Sequence, residues 1–102
     1  MNPRELEILA ILMKSEEGLT SGQVVNNSNG LSQSTVQTVL RKLAKMGLIE
    51  MTGVAYSGNV LSRTWKPTAL AEEKILEYAA TTLGEFKGII SKEKMIEAIY
   101  GE

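Results

Sequence analysis

The chain has 102 residues, a formal net charge of −1 and 43 % apolar residues, which fits one small globular domain. It contains no Cys and no His, and all twelve acidic residues are Glu, so thiolate, imidazole and Cys-ligated metal chemistry are excluded and no cofactor or metal is expected. No apolar run reaches the roughly 20 residues that span a bilayer, and no signal peptide opens the chain, so we expect a cytoplasmic binding protein that is neither an enzyme nor a membrane protein.

Charge is unevenly distributed along the chain. Residues 31–66 have a net charge of +4, whereas residues 1–30 have −2 and residues 67–102 have −3. A basic middle between acidic flanks predicts one surface suited to an anionic partner. The cations of this middle segment are Arg41, Lys42, Lys45, Arg63 and Lys66.

Two capping patterns predict the first two helices. Asn2-Pro3-Arg4-Glu5 combines a capping Asn, a Pro at the first helical position and a Glu that can return to the cap, and helical spacing of apolar residues continues to about Lys14. Thr20-Ser21-Gly22-Gln23 is a second capping box and begins a short helix. The run Asn26–Gly30 ends that helix, because Asn and Gly tolerate left-handed geometry.

Ser32 is predicted to cap a third helix that ends at Gly47. One face of this helix is an apolar stripe, formed by Val36, Val39, Leu40, Leu43 and Met46. The opposite face has hydroxyls, amides and cations but no acid, and consists of Gln33, Ser34, Gln37, Thr38, Arg41, Lys42 and Lys45. Such groups can hydrogen-bond to base edges and neutralise phosphates, so this face is suited to double-stranded DNA. An ordinary solvated face of an amphipathic helix is the alternative.

Two runs rich in strand formers follow the third helix. Leu48–Gly53 and Val60–Lys66 flank the turn-like cluster Tyr56–Asn59, which predicts a β-hairpin with a loop longer than two residues. Arg63 and Lys66 would add phosphate contacts from the hairpin.

The last third of the chain predicts two more helices. The first runs from Thr68 to about Leu83, and Ser91 opens the second after a break at Gly84–Gly88 that holds Phe86. The inward residues of the first are predicted to be Leu70, Ile75, Leu76, Ala79, Ala80 and Leu83.

This order of elements predicts a mainly α fold with a small β-hairpin. Three helices and a hairpin form a winged helix-turn-helix DNA-binding domain, residues 1–67, and residues 68–102 form a C-terminal helical dimerisation region. A winged helix is complete near residue 67, so further amphipathic helices need another surface, either a second chain or the first helix of the same chain. The residues predicted for a homodimer contact are Leu76, Ala79, Leu83, Phe86, Met95, Ile96 and Ile99.

A family resemblance adds to this interpretation. The pattern Ser-x-x-Thr-aliphatic-x-Thr-aliphatic-Leu-x-Lys-Leu over Ser32–Leu43, with Leu19–Val25 before it and Lys45–Leu48 after it, resembles the penicillinase-repressor (BlaI/MecI/CopY) family of winged-helix transcriptional regulators. The resemblance covers residues 4–66 and implies a homodimeric repressor of a palindromic operator. It also implies DNA contacts at Ser34, Thr35, Thr38 and Lys42.

Together, chemistry and resemblance predict one DNA-binding set, formed by Gln33, Ser34, Thr35, Gln37, Thr38, Arg41, Lys42 and Arg63. Two alternatives stand beside the penicillinase-repressor interpretation: a regulator of the MarR or PadR type, which shares these spacings, and a winged-helix module that binds protein without DNA. Release from DNA has three alternatives: cleavage by a regulatory protease within the dimer region, binding of a ligand, or neither.

Overall fold

The computed structural model describes residues 1–101, and its elements follow the predicted order. They are α1 (Pro3–Lys14), α2 (Ser21–Asn27), α3 (Gln33–Lys45), β1 (Ile49–Ser57), β2 (Val60–Pro67), α4 (Ala69–Gly84) and α5 (Lys92–Tyr100). The fold is therefore mainly helical with one hairpin, and the predicted fold class is confirmed. The C-terminal region predicted for residues 68–102 is described as far as residue 101.

The first three helices begin at the predicted capping residues. At α1, the Asn2 side chain accepts the N–H of Glu5 at 2.9 Å and the Glu5 carboxylate accepts the N–H of Asn2 at 3.2 Å. Thr20 and Gln23 form the same reciprocal pair at α2, with distances of 3.2 and 2.9 Å. The Ser32 hydroxyl caps α3. Each cap satisfies amide donors that a helix start leaves without partners.

The core lies between the first three helices and the base of the hairpin. α1 and α3 each bury one apolar stripe, α2 buries Val24, and α4 adds one small residue to the same cluster. Its buried members are Ile8, Leu9, Leu12, Val24, Val36, Val39, Leu40, Leu43, Leu48, Ile49 and Ala71. Because four positions of α3 are buried on one side, the opposite side of that helix is turned outward.

The hairpin connection is tighter than the sequence predicted. Ser57 pairs with Val60, so the loop has two residues, Gly58 and Asn59, and the prediction of a longer loop is wrong. Gly58 has φ +66°, the left-handed conformation that a two-residue turn accepts from Gly at its first position. A bulge at Thr52, between the pairs of Met51 and Gly53, bends the first strand.

The hairpin is fastened to the connection between α1 and α2. Leu19 and Trp65 exchange two backbone hydrogen bonds, of 3.0 and 2.9 Å. Beside them, Gly18 approaches the hairpin so closely that a Cβ there would lie 2.5 Å from the Thr52 hydroxyl oxygen. The position of the hairpin relative to the helices is therefore set by backbone bonding as well as by side chains.

The two C-terminal helices extend away from this unit. The molecule measures 54 × 27 × 23 Å and has a radius of gyration of 15.8 Å, against about 13 Å for a compact chain of this length. α4 meets the core through Ala71, which is fully buried, and through half-buried Ile75. Leu76, predicted to be an inward residue, is 62 % exposed, so the described residues of its own chain do not cover it. Leu70 and Leu83 are exposed too, and so is Ala80.

Within residues 1–101, no helix combines the length and the apolar character that crossing a membrane requires.

Candidate nucleic-acid interface

The outward side of α3 is open to solvent. All but one of the seven residues predicted for DNA on this helix are exposed, namely Gln33, Ser34, Gln37, Thr38, Arg41 and Lys42. The seventh, Thr35, is half-buried. α4 and α5 extend elsewhere and leave this side uncovered, so the outer side of α3 can approach a large partner without rearrangement.

Several of these side chains are held by short-range hydrogen bonds. Gln33 donates from Nε2 to the Ser21 hydroxyl at 2.7 Å, which ties the start of α3 to the start of α2. The Thr35 hydroxyl accepts from Ser32 at 2.9 Å. Arg41 makes a long contact of 3.5 Å with the Thr38 hydroxyl, near the limit of a useful hydrogen bond. Gln33 and Thr35 therefore stabilise the start of the helix, while Thr38 and Arg41 present polar groups to solvent.

One groove brings α3 together with the hairpin. It has a volume of about 310 Å³, and its polar lining includes Gln37, Arg41, Ser62 and Arg63. Arg63 is exposed and comes from β2, whereas Arg41 comes from the middle of α3. The fold thus brings together two cations that lie 22 positions apart in the sequence. A groove edged by two guanidinium groups is suited to phosphate oxygens, which Arg binds in a bidentate manner.

A second groove lies on the other side of α3, at the start of α1. It has a volume of about 350 Å³, and α3 contributes Ser34, Thr38 and Lys42 to its lining. The opposite wall is formed by Arg4 and Glu5 of α1, with Asn2 beside them. Sequence reasoning placed these three residues in a helix cap and missed their position beside α3. The local pattern contained no signal for it, because their position depends on how α1 crosses α3.

Glu5 of α1 places a carboxylate against the outward side of α3, a face that contains no acidic residue of α3 itself. Its Oε2 lies 2.5 Å from the Nζ of Lys42. The hydrogen bond from Lys42 is the main reason that the pKa of Glu5 is lowered, with a smaller contribution from the Asn2 backbone; burial of the carboxyl opposes both. Lys42, predicted as a DNA contact, is therefore already paired within the protein.

The residues predicted for dimer contacts lie on α4, α5 and their connection. Leu76, Leu83, Phe86, Ile96 and Ile99 are exposed, and Ala79 and Met95 are half-buried. Between the two helices runs an apolar groove of about 540 Å³, lined by residues that include Leu76, Leu83, Ile90 and Met95. So much exposed apolar surface is typical of a contact with another molecule.

The three-helix unit with its fastened hairpin has the geometry of known DNA-binding folds. The fold is a winged helix-turn-helix. Among solved structures, the chain is similar to Bacillus subtilis PadR in complex with operator DNA, with a TM-score of 0.63 and 13 % identity over 92 % of this chain. It is also similar to a zinc-responsive MarR family member, Lactococcus lactis ZitR, with a TM-score of 0.58 and 23 % identity over 92 % of the chain. The adhesin competence repressor AdcR of Streptococcus pyogenes aligns over 93 % of the chain, with a TM-score of 0.58 and 19 % identity.

The chain spans 65 % of the PadR chain, 66 % of ZitR and 70 % of AdcR. The sequence matches no family model and no curated protein. These likenesses establish the fold, and the resemblance to penicillinase repressors stays a prediction.

Proposed function

We propose that this chain is a sequence-specific DNA-binding transcriptional regulator, acting in the cytoplasm as a homodimeric repressor of a palindromic operator. The observation that carries the proposal is the outward side of α3, where hydroxyls, amides and Arg41 are exposed on a helix-turn-helix whose hairpin adds Arg63. The likeness to PadR, whose structure contains operator DNA, supports this use of the fold.

In the proposed complex, α3 lies in the major groove. Gln37 would form paired hydrogen bonds with adenine, and Arg41 with guanine or with a phosphate. Ser34 and Thr38 contribute hydroxyls that donate to and accept from base edges. Arg63 of the hairpin binds the backbone, which fixes the orientation of the protein without specifying sequence.

Dimerisation through α4 and α5 would double this surface. A two-fold contact would bury the exposed apolar residues of both helices. It would also place two α3 helices about 34 Å apart, which is one turn of DNA. A palindromic operator follows from that symmetry.

The type of winged-helix regulator is also part of the proposal. The pattern over Ser32–Leu43 favours the penicillinase-repressor type, whereas the structural likenesses favour the PadR and MarR types. All three are regulators, so they share the experiments below.

The test is fluorescence anisotropy with duplexes from the DNA upstream of the chain's own gene, in a series of salt concentrations. If a dimer neutralises about six phosphates, log affinity falls with log salt at a slope near −5. Arg41→Ala should make this slope shallower, and Thr38→Ala should weaken binding to the specific duplex more than to a scrambled one. Lys14→Ala, which removes an exposed cation from the far end of α1, is the matched control and should leave binding unchanged.

Binding that is absent, or that ignores salt and Arg41, would contradict the proposal. The alternative of a protein-binding module would then be favoured, provided that a protein partner binds in fixed stoichiometry and Arg41→Ala leaves that binding intact.

A further inference from the structure

The ion pair between Glu5 and Lys42 joins α1 to the outward side of α3. The two partners are buried to very different extents: the Glu5 side chain is 4 % exposed and the Lys42 side chain 57 %. Glu5 also closes the cap of α1 through its other oxygen, which accepts the N–H of Asn2. The carboxylate is thus held by the fold, whereas the ammonium lies at the surface that would face DNA.

This difference in burial decides what happens to Lys42 when an anion approaches. If Lys42 left Glu5 for a phosphate, a carboxylate with almost no access to water would lose its cation. Keeping the unpaired carboxylate buried would cost free energy, whereas one solvent-exposed contact between Lys42 and a phosphate contributes little binding free energy. Apart from the ammonium of Lys42, Oε2 has no hydrogen-bond donor beside it in the described residues, so nothing else is placed to replace that ammonium. We therefore expect Lys42 to stay with Glu5 when DNA binds.

We propose that Glu5 is a positioning residue of the DNA-binding surface, which keeps Lys42 in a neutral pair and thereby limits the net charge that α3 presents to the backbone. This inference rests on the proposed function. Arg41 and Arg63, which line the other groove of α3, then contribute positive charge at the DNA that the Glu5–Lys42 pair does not offset. Weaker attraction to phosphates leaves a larger share of the affinity to contacts with bases, which distinguish one sequence from another.

Glu5→Gln tests the proposal in the full-length protein. Gln keeps the shape of the side chain and still serves a capping box, as Gln23 does at the start of α2. With the pair no longer neutral, each protomer gains one cation at the surface. We expect the salt slope to steepen by about 0.9 per protomer, and the affinity for specific and scrambled duplexes alike to rise roughly tenfold per protomer at 0.1 M salt, or about 60-fold for the dimer.

The matched control is Glu7→Gln, which removes the same charge from the same helix. Glu7 accepts the backbone N–H of Asn29 at 2.7 Å instead of pairing with a cation, so this variant should leave the slope close to that of the wild type. Adding Lys42→Met to Glu5→Gln should abolish the steepening, because the freed cation is then gone. Circular dichroism at the temperature of the titration verifies that each variant is folded.

Two results would overturn the inference while the proposed function stands. One is a slope for Glu5→Gln that equals the slope for Glu7→Gln. The other is a slope for the double variant Glu5→Gln/Lys42→Met that is shallower than the wild-type slope by about 0.9 per protomer, since Lys42 would then neutralise a phosphate in the native complex. If the wild type does not bind DNA, or binds it equally well after Arg41→Ala, the proposed function is contradicted, and the inference, which rests on it, is contradicted as well.

Discussion

Glu5 uses its two carboxylate oxygens for different partners. One accepts the N–H of Asn2 within the helix cap, and the other lies beside the ammonium of Lys42, 37 positions along the chain. The cap could be predicted from sequence, because its partners are three residues apart and the geometry of a helix start is fixed. The pairing with Lys42 could not be predicted, since it depends on the way in which α1 crosses α3.

The first prediction concerns the stability of the folded protein at acidic pH. Because the pKa of folded Glu5 is lowered, chiefly by Lys42, its contribution to stability is complete above the unfolded value of about 4.3 and is lost as the pH falls through the lower folded value. The groups that face it are Lys42, the amino terminus at Met1 and Arg4. At pH 7, Glu5→Gln should lower Tm by about 4–8 °C, corresponding to about 1 kcal/mol.

Thermal unfolding between pH 2.5 and 7 measures this effect. The difference in Tm between wild type and Glu5→Gln should shrink as the pH falls below the unfolded pKa of about 4.3, and it should vanish once the native carboxyl, whose pKa is lower, is protonated as well. A difference that stays constant down to pH 2.5 would show that Lys42 does not stabilise the charged form of Glu5.

At the scale of elements, the helices were predictable and the details of the hairpin were not. Capping residues and apolar stripes are local, so they located α1, α2 and α3 and gave the outward side of α3 correctly. The hairpin loop was predicted too long because Tyr56 and Ser57 were assigned to the loop, whereas both belong to β1. Its attachment through Leu19 and Trp65 joins segments far apart in sequence, so no local pattern indicates it.

The second prediction tests that attachment. A methyl group at Gly18 would meet the hydroxyl of Thr52 at 2.5 Å and Thr64 at 3.1 Å, so Gly18→Ala should cost about 1–2 kcal/mol in the free energy of unfolding. Urea denaturation measures the loss. Gly84→Ala is the control, because nothing lies within 4 Å of the added methyl group and Ala favours a helix.

Thr52→Ala should restore part of the stability that Gly18→Ala removes, because it takes away the nearest obstructing atom. If the two substitutions are instead additive, the close approach of Gly18 to the hairpin is not the cause of the loss.

At the scale of the whole molecule, the amphipathic pattern of the C-terminal helices predicted that their apolar faces are buried. It did not identify the surface that buries them. The structure leaves most of those residues exposed, which removes the alternative of packing on α1 for Leu76, Leu83 and Ile99. Sequence could not decide this point, since packing within the chain and pairing between chains would bury the same side chains.

The third prediction follows from that exposure. In sedimentation equilibrium the chain should have twice its mass of 11.1 kDa, and Leu76→Glu should shift it toward a monomer by placing a charge in the apolar contact. Met13→Glu, at an apolar residue of α1 with 41 % exposure, should leave the dimer intact. A monomeric wild type would contradict the proposed dimer.

Whether α3 binds DNA can be tested most directly by mapping amide chemical shifts by NMR during titration with an upstream duplex. We expect the largest changes at Ser34, Gln37, Thr38 and Arg41 on α3 and at Gly58 in the turn of the hairpin, and we expect these changes to weaken as salt is added. Changes confined to α4 and α5, with the signals of α3 unmoved at saturating duplex, would contradict DNA binding by α3.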